Sequence, residues 1–580
     1  MIQSNYFEDN EDLILQFDEL IDWQEIVSEY EGDFSDAKLY LSTQNPNLQM
    51  APSNLGEAID YYREILNSYG EMAGMEVSPY VASFDSEGLQ FKDGVVTHPQ
   101  KMADLVDAFH SAGLPPAGFL RKFGGLGLPH TIKGLLLEII YRCDTSFAIA
   151  MGSINLATIL QDICDEEQKN RILPKLINER YSVTMGLSEP DFGSDLSSVK
   201  TRAEFKDGKW YITGTKRFQT LACGVNGAPS ATLCLARTGS PTSGAKGLSF
   251  FLVDGKDYEI AGIEKKMGIK SSATCEVVMN NSPAELLGKE GYGLTRYVMG
   301  MLNGARMSVA SQGAGIATAA YKESLKYAQE RIQFGKPLSE IPAIKRILDR
   351  MEREIIGMRS LLIEGARTVD LYHWRSMREK DSGKDEKEIR KDPHIQFWNS
   401  VSSALTPLAK YYNAEMANTI CYDAIQVFGG SGFCEDYDVA RLYRDVRIAS
   451  IWDGTSQIQV NAAIGPISLG LSGSGAFGEY IKTKMSLISP SEELNEIYEN
   501  VKEIAILYKN LENSSLKEYY SVDLIQNVSR FLIGILFEEQ EKKLKNESVL
   551  QKRKELRSKF NLDTLGFNDS ALRKLRALRQ

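Results

Sequence analysis

The chain has 580 residues, 43% hydrophobic and 25% charged, with a formal net charge of −12. This length suggests three or four domains, and the composition is that of a globular protein rather than a disordered or fibrous one. No apolar run approaches the ~20 residues of a membrane helix, and the N-terminus lacks the basic and apolar regions of a secretory signal.

Residues 1–50 read as an acidic helical arm. The first forty hold twelve Asp/Glu and a single Lys, which also excludes an Arg-rich transit peptide. These acids are read as solvated helix faces. Residues 51–180 form a helical domain. G-E-A-I-D-Y-Y-R-E-I-L (56–66) and I-K-G-L-L-L-E-I-I-Y-R (132–142) place apolar residues at spacings of three and four. F-G-G-L-G-L-P (123–129) is a turn whose glycines permit positive φ or close packing.

The pattern turns to β over residues 181–290. K-T-R-A-E-F (200–205) and W-Y-I-T-G-T-K-R-F (210–218) alternate around Asp207-Gly208, a hairpin turn. T-L-C-L-A-R (232–237), L-S-F-F-L-V (248–253) and E-V-V-M (276–279) continue the strands. Helices resume over 291–466, interrupted by a charged surface excursion at 376–392. The Gly/Ser-rich stretch 468–478 reads as a linker to a helical extension, 467–580. Its last forty residues hold twelve Lys/Arg against five Asp/Glu. This basic tail is also read as a solvated face, the sharper alternative being a nucleic acid or membrane contact.

Seven cysteines without a C-x-x-C pair, and five histidines without a ligand cluster, argue against disulfides and metal and fit a reducing cytoplasm.

Five motifs share one order along the chain: F-G-G-L-G-L-P, G-L-S-E-P-D-F-G-S-D (186–195), E-R-I-Q-F-G-K-P-L (330–338), Q-V-F-G-G-S-G-F (426–433) and I-W-D-G-T-S-Q-I-Q (451–459). Together they resemble the acyl-CoA dehydrogenase family, long form. The resemblance implies an α+β, mostly α fold: an N-terminal helical domain, a middle β-barrel-like domain, a C-terminal four-helix bundle and a helical extension. It implies FAD as cofactor, an acyl-CoA substrate, an electron-transfer flavoprotein as acceptor, and a homodimer or homotetramer.

Site residues follow by position in those motifs. Ser188 would bond the flavin ring, and Leu187 would offer backbone contacts. Gly193 and Ser194 would meet the pyrophosphate, with Ser194 also near the substrate. Phe218 would lie against the isoalloxazine and Thr220 near N5. Arg331, Gln333 and Phe334 on one chain, with Gln426 and Gly430 on another, would complete the adenine half. Thr455 and Gln457 would also contact the cofactor, while Asn303, Arg306, Trp452 and Gly454 would line the substrate channel.

Asp453 is the candidate base, removing the α-proton while its backbone N–H polarises the thioester carbonyl. Burial beside Trp452 would raise its pKa toward working pH. The family usually has Glu here, and Asp is shorter by roughly 1.5 Å, a displacement that can cost ~100-fold in rate. Some subgroups carry the base at the position of Ala305, which here has no carboxylate. Backbone adjustment or a different substrate would accommodate the shorter base. The alternatives are an oxidase of the same fold acting on a nitroalkane or acyl-CoA, and a DNA-binding alkylation-response-like member, which the acidic total charge disfavours.

Overall fold

The structure, a computed structural model, describes residues 1–578. Three helical layers surround one β barrel. Helices Leu55–Glu71, Gln100–Ser111, His130–Cys143 and Glu166–Asn178 make up most of the first layer. In the Phe123–Pro129 turn, Gly127 has φ +62°, and a Cβ on Gly125 would sit 2.2 Å from the Phe119 carbonyl oxygen. Both glycines are thus dictated by geometry.

The seven-stranded sheet runs in the order Ser182–Gly186, Ser230–Arg237, Arg202–Lys206, Lys209–Thr220, Thr274–Leu286, Leu248–Asp254, with Glu259–Ile263 paired to Thr274–Leu286. Pairing of Ser230–Arg237 with Leu248–Asp254 curls it toward a barrel. The Asp207-Gly208 hairpin forms as expected, with φ of 49° and 76°. Positive φ at both central residues matches the twist of the flanking strands.

Helices Met299–Glu330, Pro342–Asp381, Pro393–Phe428 and Ser456–Leu471 form the bundle. The first is rich in Ala and Gly on its buried side. A Cβ on Gly313 would meet the Asn413 carbonyl at 2.7 Å, and one on Gly315 the Glu138 carbonyl at 2.5 Å. Small residues therefore allow backbone-close packing of three helices. Of the charged stretch 376–392, residues 376–381 continue the helix Pro342–Asp381, and only 382–392 is an excursion, carrying one short helix, Glu386–Ile389.

Three further expectations are corrected. The acidic arm is not a solvated face. Tyr6, Phe7, Phe17 and Trp23 are buried in the N-terminal core, and Asp9, Asp12, Asp18, Glu25, Glu29, Glu31 and Asp36 pair with arginines from elsewhere in the chain. Glu31 takes a bidentate pair from Arg121 at 2.7 and 2.8 Å. Asp12 is shared by Arg359 of the bundle and Arg553 of the extension. The basic tail, by contrast, does present a solvated face: in the helix Glu547–Ala577, Lys552, Lys554, Lys559, Arg573, Lys574 and Arg576 are exposed, while Arg557 turns inward to bond Glu541 and Glu538. Residues 579–580 of that tail lie outside the described residues.

Residues 468–478 are not a loose linker. The helix Ser456–Leu471 turns directly into Ala476–Leu487, and a Cβ on Gly478 would lie 2.3 Å from the Gly470 carbonyl oxygen. The glycines serve a tight helix crossing.

Finally, Thr145–Ile163 is long and apolar enough to cross a membrane by length and composition, with 19 residues at mean hydropathy 1.2. Its Thr, Ser, Asn and Gln residues mask the run in the sequence. In the structure it is two α segments joined by a 3-10 stretch, Ser153–Ile159, against the core.

Candidate functional site

A cavity of about 1880 Å³ opens where barrel, first layer and bundle meet. Its barrel wall is built by the turn 187–195. Glu189 is buried there and accepts from Lys200 N at 2.7 Å, Thr201 N at 2.9 Å and the buried Lys216 ammonium at 3.0 Å. Burial pushes its carboxyl up, but Lys216 and these donors outweigh that and hold it below the usual carboxylate range. Lys216 also donates to the Leu187 carbonyl at 3.0 Å. The fixed turn presents Ser188, Gly193 and Ser194 to the cavity.

Beside it, joined by a 2.9 Å bond from Arg217 N to the Ser188 carbonyl, lies a β-bulge. Pairing of Lys209–Thr220 with Thr274–Leu286 slips between Lys216 and Gln219. Phe218, at φ +60°, is thrust out of the ladder and is 55% exposed, facing the cavity. A bulge re-aims a side chain in this way. Thr220 follows on the same wall. No atom lies within 4 Å of a Cβ built on Gly193. The wall thus combines an apolar ring, hydroxyls and an unobstructed backbone turn, the donor set and shape that a flavin dinucleotide requires.

Arg331, Gln333, Phe334, Gln426 and Gly430 are exposed and lie off this cavity. Tyr327 stacks on Phe428 at 4.1 Å, bringing the hairpin 332–337 beside the turn 429–433. Both motifs therefore form one patch on the surface of this chain. Phe334 is 92% exposed at its centre.

The bundle wall carries Asp453. Asp453 and Gly454 have φ of 51° and 90°. Asp tolerates this left-handed conformation better than most residues. The turn is tied down through its carbonyls: Gln459 donates to both, at 3.0 and 2.9 Å, and the buried Lys410 donates to Gly454 O at 2.7 Å. Neither the Asp453 backbone N–H nor its carboxylate has a hydrogen-bond partner among the described residues. Every other carboxylate lining the cavity is engaged: Asp162 with His373, Asp165 with Gln168 N, Asp195 with Ser197 and Ser198, Glu264 with Arg217, Asp385 with Lys387 N, Glu386 with Arg296, and Asp445 with Ile269 N.

Burial raises the pKa of Asp453, and the charge on Lys410 partly opposes this. Burial lowers Lys410 to about 8. Arg306 is buried without a carboxylate partner, bonding Gln459 Oε1 at 2.9 Å and Asn303 Oδ1 at 2.8 Å. Lys410 thus sets a positive charge beside the carboxylate, and Arg306 adds a second cation to the same cavity wall, a field that favours negative charge developing nearby. Trp452 is positioned by its Nε1–H bond to Gln312 at 3.2 Å.

Asn303, Arg306, Trp452, Gly454 and Thr455 line the cavity as expected, and Ala305 lines it without a titratable group. Gln457 does not. It bonds Asn461 at 2.9 Å and Ser521 of the extension at 3.2 Å, because the helix Ser456–Leu471 turns it to the opposite face. Gln459 and Lys410 are the residues that the motif reading misses. Gln459 sits one helical turn after Thr455, so helical phase could have pointed to it. A lone Lys inside the apolar run 404–412 was the only signal for the other.

Residues 60–180, 184–282 and 291–464 match the models of the acyl-CoA dehydrogenase N-terminal, middle and C-terminal domains. The chain is 32% identical over 430 residues to the 3-methylmercaptopropionyl-CoA dehydrogenase of Ruegeria pomeroyi, covering 70% of each. It is 31% identical over 437 residues to the cyclohexane-1-carbonyl-CoA dehydrogenase of Syntrophus aciditrophicus, covering 73% of this chain and 96% of that one. The solved acyl-CoA dehydrogenase of Bacillus anthracis, complexed with FAD, superposes with a TM-score of 0.74 at 22% identity, covering 89% of this chain and 88% of that one.

Proposed function

Because this chain belongs to the acyl-CoA dehydrogenase family, we propose that it is an FAD-dependent enzyme that converts an acyl-CoA to the enoyl-CoA, with Asp453 as base. The observation that carries this reading is the unpaired, half-buried carboxylate of Asp453 among cavity carboxylates that are all otherwise engaged.

Asp453 removes the α-proton and holds it on its carboxyl. Burial suits it to this task, since a base acts best when its pKa lies near the working pH. The free backbone N–H of Asp453 donates to the thioester carbonyl, and the cationic surroundings of Lys410 and Arg306 stabilise the charge moving onto that oxygen. Gln459 and Lys410 hold the turn so that carboxylate and N–H keep a fixed relation. FAD, when bound, accepts the hydride that leaves Cβ, which completes the two-electron oxidation. Ser188, Gly193, Ser194, Phe218, Thr220 and Thr455 would hold it.

The exposed patch around Phe334 and Gln426 supports a second role: reaching the flavin of another copy, in at least a dimer. The electrons then pass to an electron-transfer flavoprotein. Anaerobic titration of the yellow protein with straight, branched, cyclic and aromatic acyl-CoAs tests the reading. Flavin bleaching by a member of the panel, with enoyl-CoA formed in equal amount, is expected. A flavin that stays oxidised with all of them would refute it.

A further inference from the structure

The cavity continues past the base. One stripe of the helix His130–Cys143 lines it: Tyr141, Leu137, Gly134, Lys133 and His130. At one end the Tyr141 hydroxyl lies 3.3 Å from Ser308 Oγ and feels the charge of Asp453. At the other, eight residues nearer the N-terminus, stands Lys133, ~12 Å along the axis at 1.5 Å per residue. The facing wall leaves the passage open. Ala148 and Gly152 line it one helical turn apart, and no atom lies within 4 Å of a Cβ built on Gly152.

The far end is polar, and its hydrogen bonds can be followed atom by atom. Asp370 accepts His130 N at 2.6 Å and Trp374 Nε1 at 2.6 Å on one oxygen, and Thr131 N at 2.9 Å and Thr131 Oγ1 at 2.7 Å on the other. His130 Nε2 lies 3.0 Å from His373 Nδ1, and His373 Nε2 lies 3.1 Å from Asp162 Oδ1. A chain of N–H donors ending on Asp162 satisfies both rings. Lys380 Nζ bonds the Asp162 carbonyl at 2.6 Å.

That leaves Lys133. Its ammonium has no acceptor among the described residues, and its one close partner is the Trp374 ring, 5.4 Å from Nζ to centroid. Burial lowers its pKa to about 8, while Asp370 and Asp162 act in the opposite direction. This half-buried ammonium, with three unused donors open to the cavity, is placed to take an acceptor that a ligand brings.

We infer that Lys133 reads the far end of the substrate, and that this enzyme takes acyl-CoAs whose chain ends in an anionic group, a carboxylate being the simplest. This inference rests on the acyl-CoA reading of the same cavity. At ~1.2 Å per bond, the advance of an extended chain, ~12 Å corresponds to about ten bonds. An ω-carboxyacyl-CoA with about ten bonds between Cα and its terminal carboxylate therefore matches the span from Tyr141, which feels the charge of Asp453, to Lys133.

The test compares dodecanoyl-CoA with its ω-carboxylated counterpart, in which ten bonds separate Cα from the terminal carboxyl carbon, on the FAD-loaded protein. Equilibrium binding is measured by calorimetry, and flavin bleaching is followed separately. A charge-assisted bond made only by the ω-carboxylate is expected to give about 10–100-fold tighter binding. Lys133→Met should erase that ratio, and Lys133→Arg should keep part of it. Should Lys133→Met fail to hold flavin, Gly152→Leu, which caps the passage from the facing wall, should likewise remove the preference. Equal or tighter binding of dodecanoyl-CoA by the native protein overturns the inference, as does a ratio unchanged in Lys133→Met. Tight, selective binding without bleaching would leave Lys133 in its role and count against Asp453 as base.

Discussion

The Lys410 ammonium donates a 2.7 Å hydrogen bond to the Gly454 carbonyl, one residue beyond Asp453. The same lysine is therefore both a strut for the turn and the nearest counter-charge to the base. Burial raises the Asp453 pKa and Lys410 holds it down, so the two residues together set where the base ionises.

Lys410→Met separates these effects through the pH profile. The base works only when ionised, so kcat/KM should fall as pH drops through the raised pKa of Asp453. Removing Lys410 removes the lowering influence. The acid limb should move to higher pH, by about one unit. A lower rate with an unmoved limb would show that Lys410 acts only as a strut.

Gly193 is the point where the barrel wall opens to the cofactor. A Cβ there meets empty space, so Gly193→Val should fold and place its methyls where the flavin would lie. The expected product is a folded, colourless protein with native far-UV dichroism. It should melt at a lower temperature only by the lost contribution of bound ligand. Purification as a yellow protein would remove Gly193 from the cofactor site.

Asp12 joins three parts of the chain, since Arg359 of the bundle and Arg553 of the extension converge on it. Asp12→Asn leaves two guanidinium groups undercompensated, although Glu138 still serves Arg359. Loss on the order of 3 kcal/mol is expected, read by chemical denaturation. Faster proteolysis of the extension should accompany it. Unchanged stability would mean that the arm is an appendage.

The barrel and the bundle could be read from the sequence because their signals are local. Asp207-Gly208 dictates its hairpin whatever surrounds it, and the spacing of apolar residues marks helices. Asp453 was legible because its motif keeps residue type and order together. Gln459 and Lys410 were not, because each acts by reaching back to a turn from a helix whose rotation only packing decides. The acidic arm shows the limit of counting charge. Glu31 and Asp12 look solvated until Arg121, Arg359 and Arg553, distant in sequence, are brought against them. Gly470 and Gly478 mislead in the same way, since a close helix crossing and a flexible linker use the same residue.

The most direct test of Asp453 as base is Asp453→Asn, purified with FAD bound and mixed anaerobically with an acyl-CoA that bleaches the native protein. Asn keeps the size and the backbone N–H but cannot take the proton. The expected result is a substrate that still binds, seen as a perturbed flavin spectrum, with bleaching slowed by about four orders of magnitude, within the span that acid–base catalysis supplies. Bleaching at near-native rate would contradict the assignment and require another base in the cavity.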